Sequence, residues 1–170
     1  MILAELEKQG IADNTLLAFS SDNGGERYAS NAPLFHHKAT LWEGGIRVPC
    51  IMRWPGKLQR GVVTKQMGIT MDLHATFLTA AGIDLPKEKP LDGIDLIPLI
   101  TGNQPPVDRT FYWRIDRSNR KQHAIRSGPW KYVNDGNTMD LLFDLDSDIG
   151  ERHENWEASV AHKVGNTSAI

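Results

Sequence analysis

Asp22 and Asn23 follow the apolar run Leu16-Leu17-Ala18-Phe19 and two serines, and they precede Gly24-Gly25. A carboxylate and an amide carbonyl are hard oxygen donors, suited to Ca²⁺ or Mg²⁺ and poorly suited to soft metals. Ligands gather at the carboxyl ends of strands in α/β sheets, and two glycines let the chain break there. Fifteen positions beyond Asn23 stands Lys38. Its ammonium is a compact point charge with three donors, fit for a sulfate or phosphate oxygen or for a leaving oxygen as charge develops. His36 and His37 precede it, and imidazoles there could donate to the same anion or carry a proton near neutral pH. The plainer readings stay open at this point. Asp-Asn-Gly-Gly is also an ordinary turn, most lysines lie in water, and two oxygens fall short of the roughly 6–8 that calcium takes. Further ligands must come from elsewhere.

These residues need a frame. Residues 2–9 pattern as a short helix with Ile2, Leu3 and Leu6 on one face and Gly10 as its stop. Asp13-Asn14 turns the chain into a strand over 15–19, which reads as one arm of a βαβ unit. Residues 24–37 are a loop, and 48–54 form a second strand closed by Pro55-Gly56. Cys50 falls inside that strand and is expected to be a buried, inert small hydrophobe. Residues 71–81 are helical, with Thr70 or Asp72 at the start and Gly82 at the end. A proline-rich stretch, 84–108, holds a helical turn at 96–101. Beyond Pro105-Pro106, segments 110–114, 122–126, 130–133 and 141–145 alternate with Ser-Gly-Pro and Asn-Asp-Gly turns, the pattern of a small antiparallel sheet. The domains are therefore expected at 1–106 and 107–170, with a polar tail that holds one helix. Trp42, Trp54, Trp113 and Trp130 read as packing aromatics, and Glu43 with Arg47 as an internal ion pair.

The bulk numbers exclude several classes. With 170 residues, 40% hydrophobic, the chain can build a core. A net charge of −2 gives no field for nucleic acid or membrane surfaces. No apolar run approaches about 18 residues. The single cysteine excludes an intrachain disulfide framework. There is no G-x-S-x-G, P-loop, C-x-x-C or H-E-x-x-H. The Asn166-Thr167-Ser168 sequon lies in the tail.

Ser21-Asp22-Asn23-Gly24, the block from Lys38 to Pro49 (Lys-Ala-Thr-Leu-Trp-Glu-Gly-Gly-Ile-Arg-Val-Pro) and Trp54-Pro55-Gly56 resemble the C-terminal half of type I sulfatases, the arylsulfatase A-like group. Met71 to Leu78, Leu91 to Leu96, Ile125 to Tyr132 and Leu142 to Leu145 continue the similarity in the family's order. The resemblance implies part of an alkaline-phosphatase-like α/β fold, a mixed sheet flanked by helices, with a small C-terminal four-stranded antiparallel sheet. It implies Asp22 and Asn23 as Ca²⁺ ligands and Lys38 as a catalytic and sulfate-binding group; His37 and His36 are expected beside the substrate from their residue type and position alone. The substrate would be a sulfated carbohydrate or aryl sulfate. The parent protein would be exported, whether periplasmic, extracellular or lysosomal.

Other parts of the pattern depart from the family. Its nucleophile is a formylglycine made in a C/S-x-P-S-R motif, and no such motif occurs in these residues; Cys50 is followed by Ile-Met-Arg-Trp. The aspartates that complete the family's calcium site are also missing. The expectation is a sulfatase fragment, an internal start or one piece of a split protein, inactive alone. The alternatives are a non-catalytic remnant that self-associates through an exposed sheet edge, or a phosphatase or phosphodiesterase of the same superfamily.

Overall fold

A computed structural model describes residues 2–26, 28–136 and 138–155; the predicted tail helix and the sequon lie outside them. The chain divides into two compact units, Met1–Asp22 with Pro49–Val107, and Asn23–Val48 with Asp108–Ile170.

In the first unit, helix α1 (Ile2–Lys8) leads through a 3-10 turn, Ala12–Asn14, to strand β1 (Leu17–Ser20). Gly10 adopts φ +67 at the helix stop, a conformation glycine takes without steric cost. The helix, turn and strand of the predicted arm are all present, and among the described residues β1 has a strand partner. Its partner is β2 (Cys50–Arg53), paired antiparallel with Leu17 opposite Arg53 and Ser20 opposite Cys50. Glu7 reaches Arg53 at 3.7 Å and the Trp54 indole donates to the Asp13 carbonyl at 3.2 Å. Two strands alone leave side chains uncovered. The cross-strand pair Phe19 and Ile51 is 61% and 60% exposed, and no residue of α1 is buried. The same geometry corrects the expectation for Cys50, which is exposed, because it opens an uncovered strand.

Helix α3 (Thr70–Ala80) follows the short helix α2 (Glu43–Ile46) of the other unit in chain order, and α4 (Ile97–Ile100) follows α3. The start of α3 is fixed by Asp72, which is fully buried. Its Oδ2 accepts from the Ile69 N–H at 2.7 Å and its Oδ1 from the Ile94 N–H at 3.0 Å. The Thr76 hydroxyl likewise accepts from the Leu96 N–H. A Cβ on Gly93 would lie 2.2 Å from the Met71 carbonyl oxygen, so only glycine lets the 91–96 segment lie against the helix. Ala75, Leu96 and Leu99 are the buried apolar residues here.

The second unit is built on a four-stranded antiparallel meander, β3 (Thr110–Arg117), β4 (Arg120–Ser127), β5 (Trp130–Asp135) and β6 (Met139–Asp144). Gly128 at φ +56 closes the β4–β5 hairpin as its two-residue loop requires. One face carries Phe111, Ala124, Val133 and Phe143, of which the last three form one buried cluster with Leu41, Trp42 and Leu145. Tyr112 and Ile125 are exposed on the alternate positions that a period of two assigns to the other face.

Lys131 shares the core parity with Val133 and has no exposed side-chain surface. Its Nζ lies 2.9 Å from Glu43 Oε1 and 2.7 Å from Glu151 Oε1. Arg47 and Arg126 meet Glu43 Oε2 at 3.2 and 3.3 Å, so the expected Glu43–Arg47 ion pair is present within a larger cluster. Burial alone would raise the Glu43 carboxyl, but the Lys131 charge and hydrogen bond, with Arg126 and Arg47, outweigh it and hold the group below its ordinary 4.5. For Glu151 burial wins over Lys131, and the carboxyl is pushed above 4.5.

Two outcomes follow from these contacts. Replacing Asp72 by alanine leaves two backbone donors without acceptors and is expected to cost about 3 kcal/mol, read as a lower urea midpoint; an unchanged midpoint contradicts the clamp. Carboxyl NMR during acidification is expected to show Glu151 protonating above pH 4.5 and Glu43 below it. The stabilisation from Glu43 is present above pH 4.5 and is lost as pH falls through its depressed value. That from Glu151 has the opposite sign: full below pH 4.5, lost as pH rises through its raised value. The reverse protonation order would refute the assignment.

Candidate functional site

The residues proposed for chemistry lie on the loop before α2, and backbone contacts hold that loop on itself. The Gly24 N–H donates to the Gly45 carbonyl at 2.9 Å, and the Lys38 N–H to the Gly25 carbonyl at 2.9 Å. Asn31 staples the turn from inside: its Oδ1 accepts from the Gly25 N–H, and its Nδ2 donates to the carbonyls of Gly25 and His36. The Thr40 hydroxyl donates to the His37 carbonyl at 2.8 Å.

Gly-Gly is required sterically as well. A Cβ on Gly24 would fall 1.8 Å from the Gly44 oxygen, one on Gly44 2.3 Å from the Phe35 oxygen, and one on Gly45 2.2 Å from the Thr40 oxygen. Asn23-Gly24 and the segment bearing Lys38 are thus packed backbone to backbone around α2.

Lys38 itself is about half exposed and its Nζ lies 3.4 Å from Glu26 Oε1. His36 and Ala39, on either side of it, adopt φ +68 and +65, uncommon for residues with a Cβ. Each is held there by contacts. The His36 ring lies 6.4 Å from Trp42 at an interplanar angle of 12° and meets Phe35 edge-on, and the Ala39 carbonyl accepts from Arg120 Nη1 at 2.7 Å. Burial, then the neighbouring His37 and Arg120, lowers the His36 pKa below 6.5, so this imidazole is neutral at neutral pH. His37 places Nδ1 2.9 Å from the Lys38 carbonyl, where only the tautomer with a proton on Nδ1 makes the bond.

Asn23 is half-buried and Asp22 is exposed. Their oxygens suit a hard cation in kind and are too few to enclose one. Among the described residues no group of three or more His, Cys, Asp or Glu side chains is placed to hold a metal, and no helix is long and apolar enough to cross a membrane.

Sequence reasoning missed several supports of this loop. The Leu41 N–H donates to Gln122 Oε1 at 2.9 Å, Gln122 Nε2 donates to Asp135 Oδ2, and the Trp42 indole donates to the same oxygen at 3.1 Å. The Glu43 N–H donates to Glu151 Oε2 at 2.6 Å. The signal for Lys131 was available: it has the parity of Val133 within a strand. Glu151 offered none, being one acidic residue in a polar run.

Residues 1–83 match the family described as Sulfatase. N-acetylgalactosamine-6-sulfatase of Canis lupus familiaris is 40% identical over 121 residues, covering 68% of this chain and 23% of that protein. The crystal structure of Ps i-CgsB, 32% identical, superposes with a TM-score of 0.86 over 94% of this chain and 36% of that one. BT4656, solved in complex with its substrate D-glucosamine-2-N,6-O-disulfate, shares the fold at a TM-score of 0.75 and 24% identity, covering 97% of this chain and 35% of that one. The chain spans about a quarter of the length of the curated relatives it matches. The alkaline-phosphatase-like fold expected from the sequence is the fold of these neighbours, and the likeness in both sequence and structure makes these 170 residues a member of the sulfatase family.

Proposed function

We propose that this chain carries the cation-and-lysine portion of a site for hydrolysing sulfate esters of carbohydrates. One observation carries the reading: the Asn23-Gly24 turn and the Lys38 segment are locked together through Gly45 and Gly25, so an oxygen ligand and an ammonium group are held on one scaffold. Asp22 and Asn23 would be the residues that hold Ca²⁺. When bound, the ion would offset the negative charge of the sulfate group. Lys38 donates to a sulfate oxygen and steadies the bridging oxygen as the alcohol departs. To do so it exchanges the Glu26 carboxylate, at 3.4 Å and largely exposed, for the anion. An exposed ion pair is worth little, so that exchange costs little. His37 flanks Lys38 with its Nε2 edge turned from the Nδ1 contact, and neutral His36 supports the loop through Trp42.

The sugar assignment draws support from the sulfated-sugar names of a relative and a neighbour. With no C/S-x-P-S-R in its sequence, the chain requires a nucleophile from elsewhere.

The purified chain with Ca²⁺ is expected to release no nitrophenol from 4-nitrophenyl sulfate, while inorganic sulfate shifts the Lys38 side-chain NMR signals and Lys38→Met abolishes that response at other reporters. Ca²⁺ is expected to shift Asp22 and Asn23 with roughly millimolar affinity, as a sparse donor set gives. Turnover by the isolated chain, or a sulfate response indifferent to Lys38→Met, overturns the reading.

A further inference from the structure

We propose that Lys131 is a positioning residue for Lys38, acting through Glu43, so that the antiparallel sheet forms part of the sulfate site's machinery. This rests on the reading of Lys38 given above. The path is continuous. Lys131 Nζ holds Glu43 Oε1 at 2.9 Å, and the Glu43 backbone is fixed from the other side by Glu151 Oε2 at 2.6 Å. The next residue, Gly44, donates to the Phe35 carbonyl at 2.8 Å, and Gly45 accepts from the Gly24 N–H at 2.9 Å. Gly25, adjoining Gly24, accepts from the Lys38 N–H. No link in this path has slack, because the glycine approaches admit no Cβ.

The cluster's composition argues for aim over stability. Lys131, Glu43 and Glu151 have 0%, 1% and 0% side-chain exposure. Buried ion pairs of this kind are commonly replaced by apolar residues at no loss of stability, so stability does not account for keeping three charges here. What an apolar pair cannot supply is direction. An ammonium between two carboxylates fixes the rotation of Glu43, and with it the carbonyls that receive Gly24 and Lys38.

The test compares the unsubstituted chain with the double variant Glu43→Leu, Lys131→Met, in which Glu151 is free to take up a proton. Arg47 and Arg126 also lose Glu43 in this variant, so its urea midpoint is expected to fall and the amide exchange of Ala124 and Val133 to quicken by a small common factor. Exchange at the Gly24 and Lys38 amides is expected to quicken at least tenfold, and the affinity for inorganic sulfate at Lys38 to fall about tenfold. Should the double variant not fold, Glu43→Asp keeps the charge, shortens the arm and is expected to change the same two amides in the same sense. Gly24 and Lys38 amides that do not change, or that change only in step with Ala124 and Val133, overturn the inference. An unsubstituted chain whose Lys38 ignores sulfate overturns the site reading instead, and the exchange rates then still decide whether Lys131 positions the loop.

Discussion

Everything around Lys38 depends on a buried ammonium. Lys131 lies on the core face of a strand, where the pattern of the sheet asks for an apolar side chain, and it is tolerated because Glu43 and Glu151 both reach it. A charge in that position must be matched or the strand cannot close over it; removing one partner of such a cluster typically costs about 3–5 kcal/mol. The requirement works in both directions. The sheet needs Glu43 to neutralise its lysine, and the loop before α2 needs the lysine to set its course.

The glycines turn that electrostatic requirement into geometry. Gly24, Gly44 and Gly45 let three backbone segments approach within distances a side chain would forbid, and the Gly24 and Gly44 N–H groups donate across them to Gly45 and Phe35 at 2.9 and 2.8 Å. Asn23 and Lys38 inherit their places from this packing. The Lys38 side chain contributes little to it, being exposed and paired with an exposed Glu26. Rigid backbone beneath an exchangeable side chain suits a group that must let go of one anion to take another.

Much of this was legible in the residues themselves. The four strands of the meander were readable from alternation and from Ser-Gly-Pro and Gly-containing turns, because each hairpin is local. Helix α3 was readable from its apolar spacing and from Gly82, and Asp72 was correctly placed at its start, though as a residue reaching back to Ile69. The pairing of β1 with β2 was not readable, since strands so far apart choose partners by packing that a short window does not contain. Cys50 was misread for a related reason: an apolar strand looks the same in sequence whether or not its faces are covered. Asp22, Asn23 and Lys38 stood out by type and spacing. Glu26, Asn31, Gln122 and Glu151 did not, because a polar residue that supports another leaves no pattern along the chain.

The exposure of Cys50 has a practical side. It is the sole cysteine of the chain, so a maleimide dye or spin probe would attach at a single known point, opposite Ser20 in the strand pair. Partial burial raises its thiol above the usual value, which keeps the reactive thiolate scarce at neutral pH. Conjugation would therefore run slowly near pH 7 and faster in mild alkali, and the attached reporter would sense the β1–β2 ribbon without any engineered mutation.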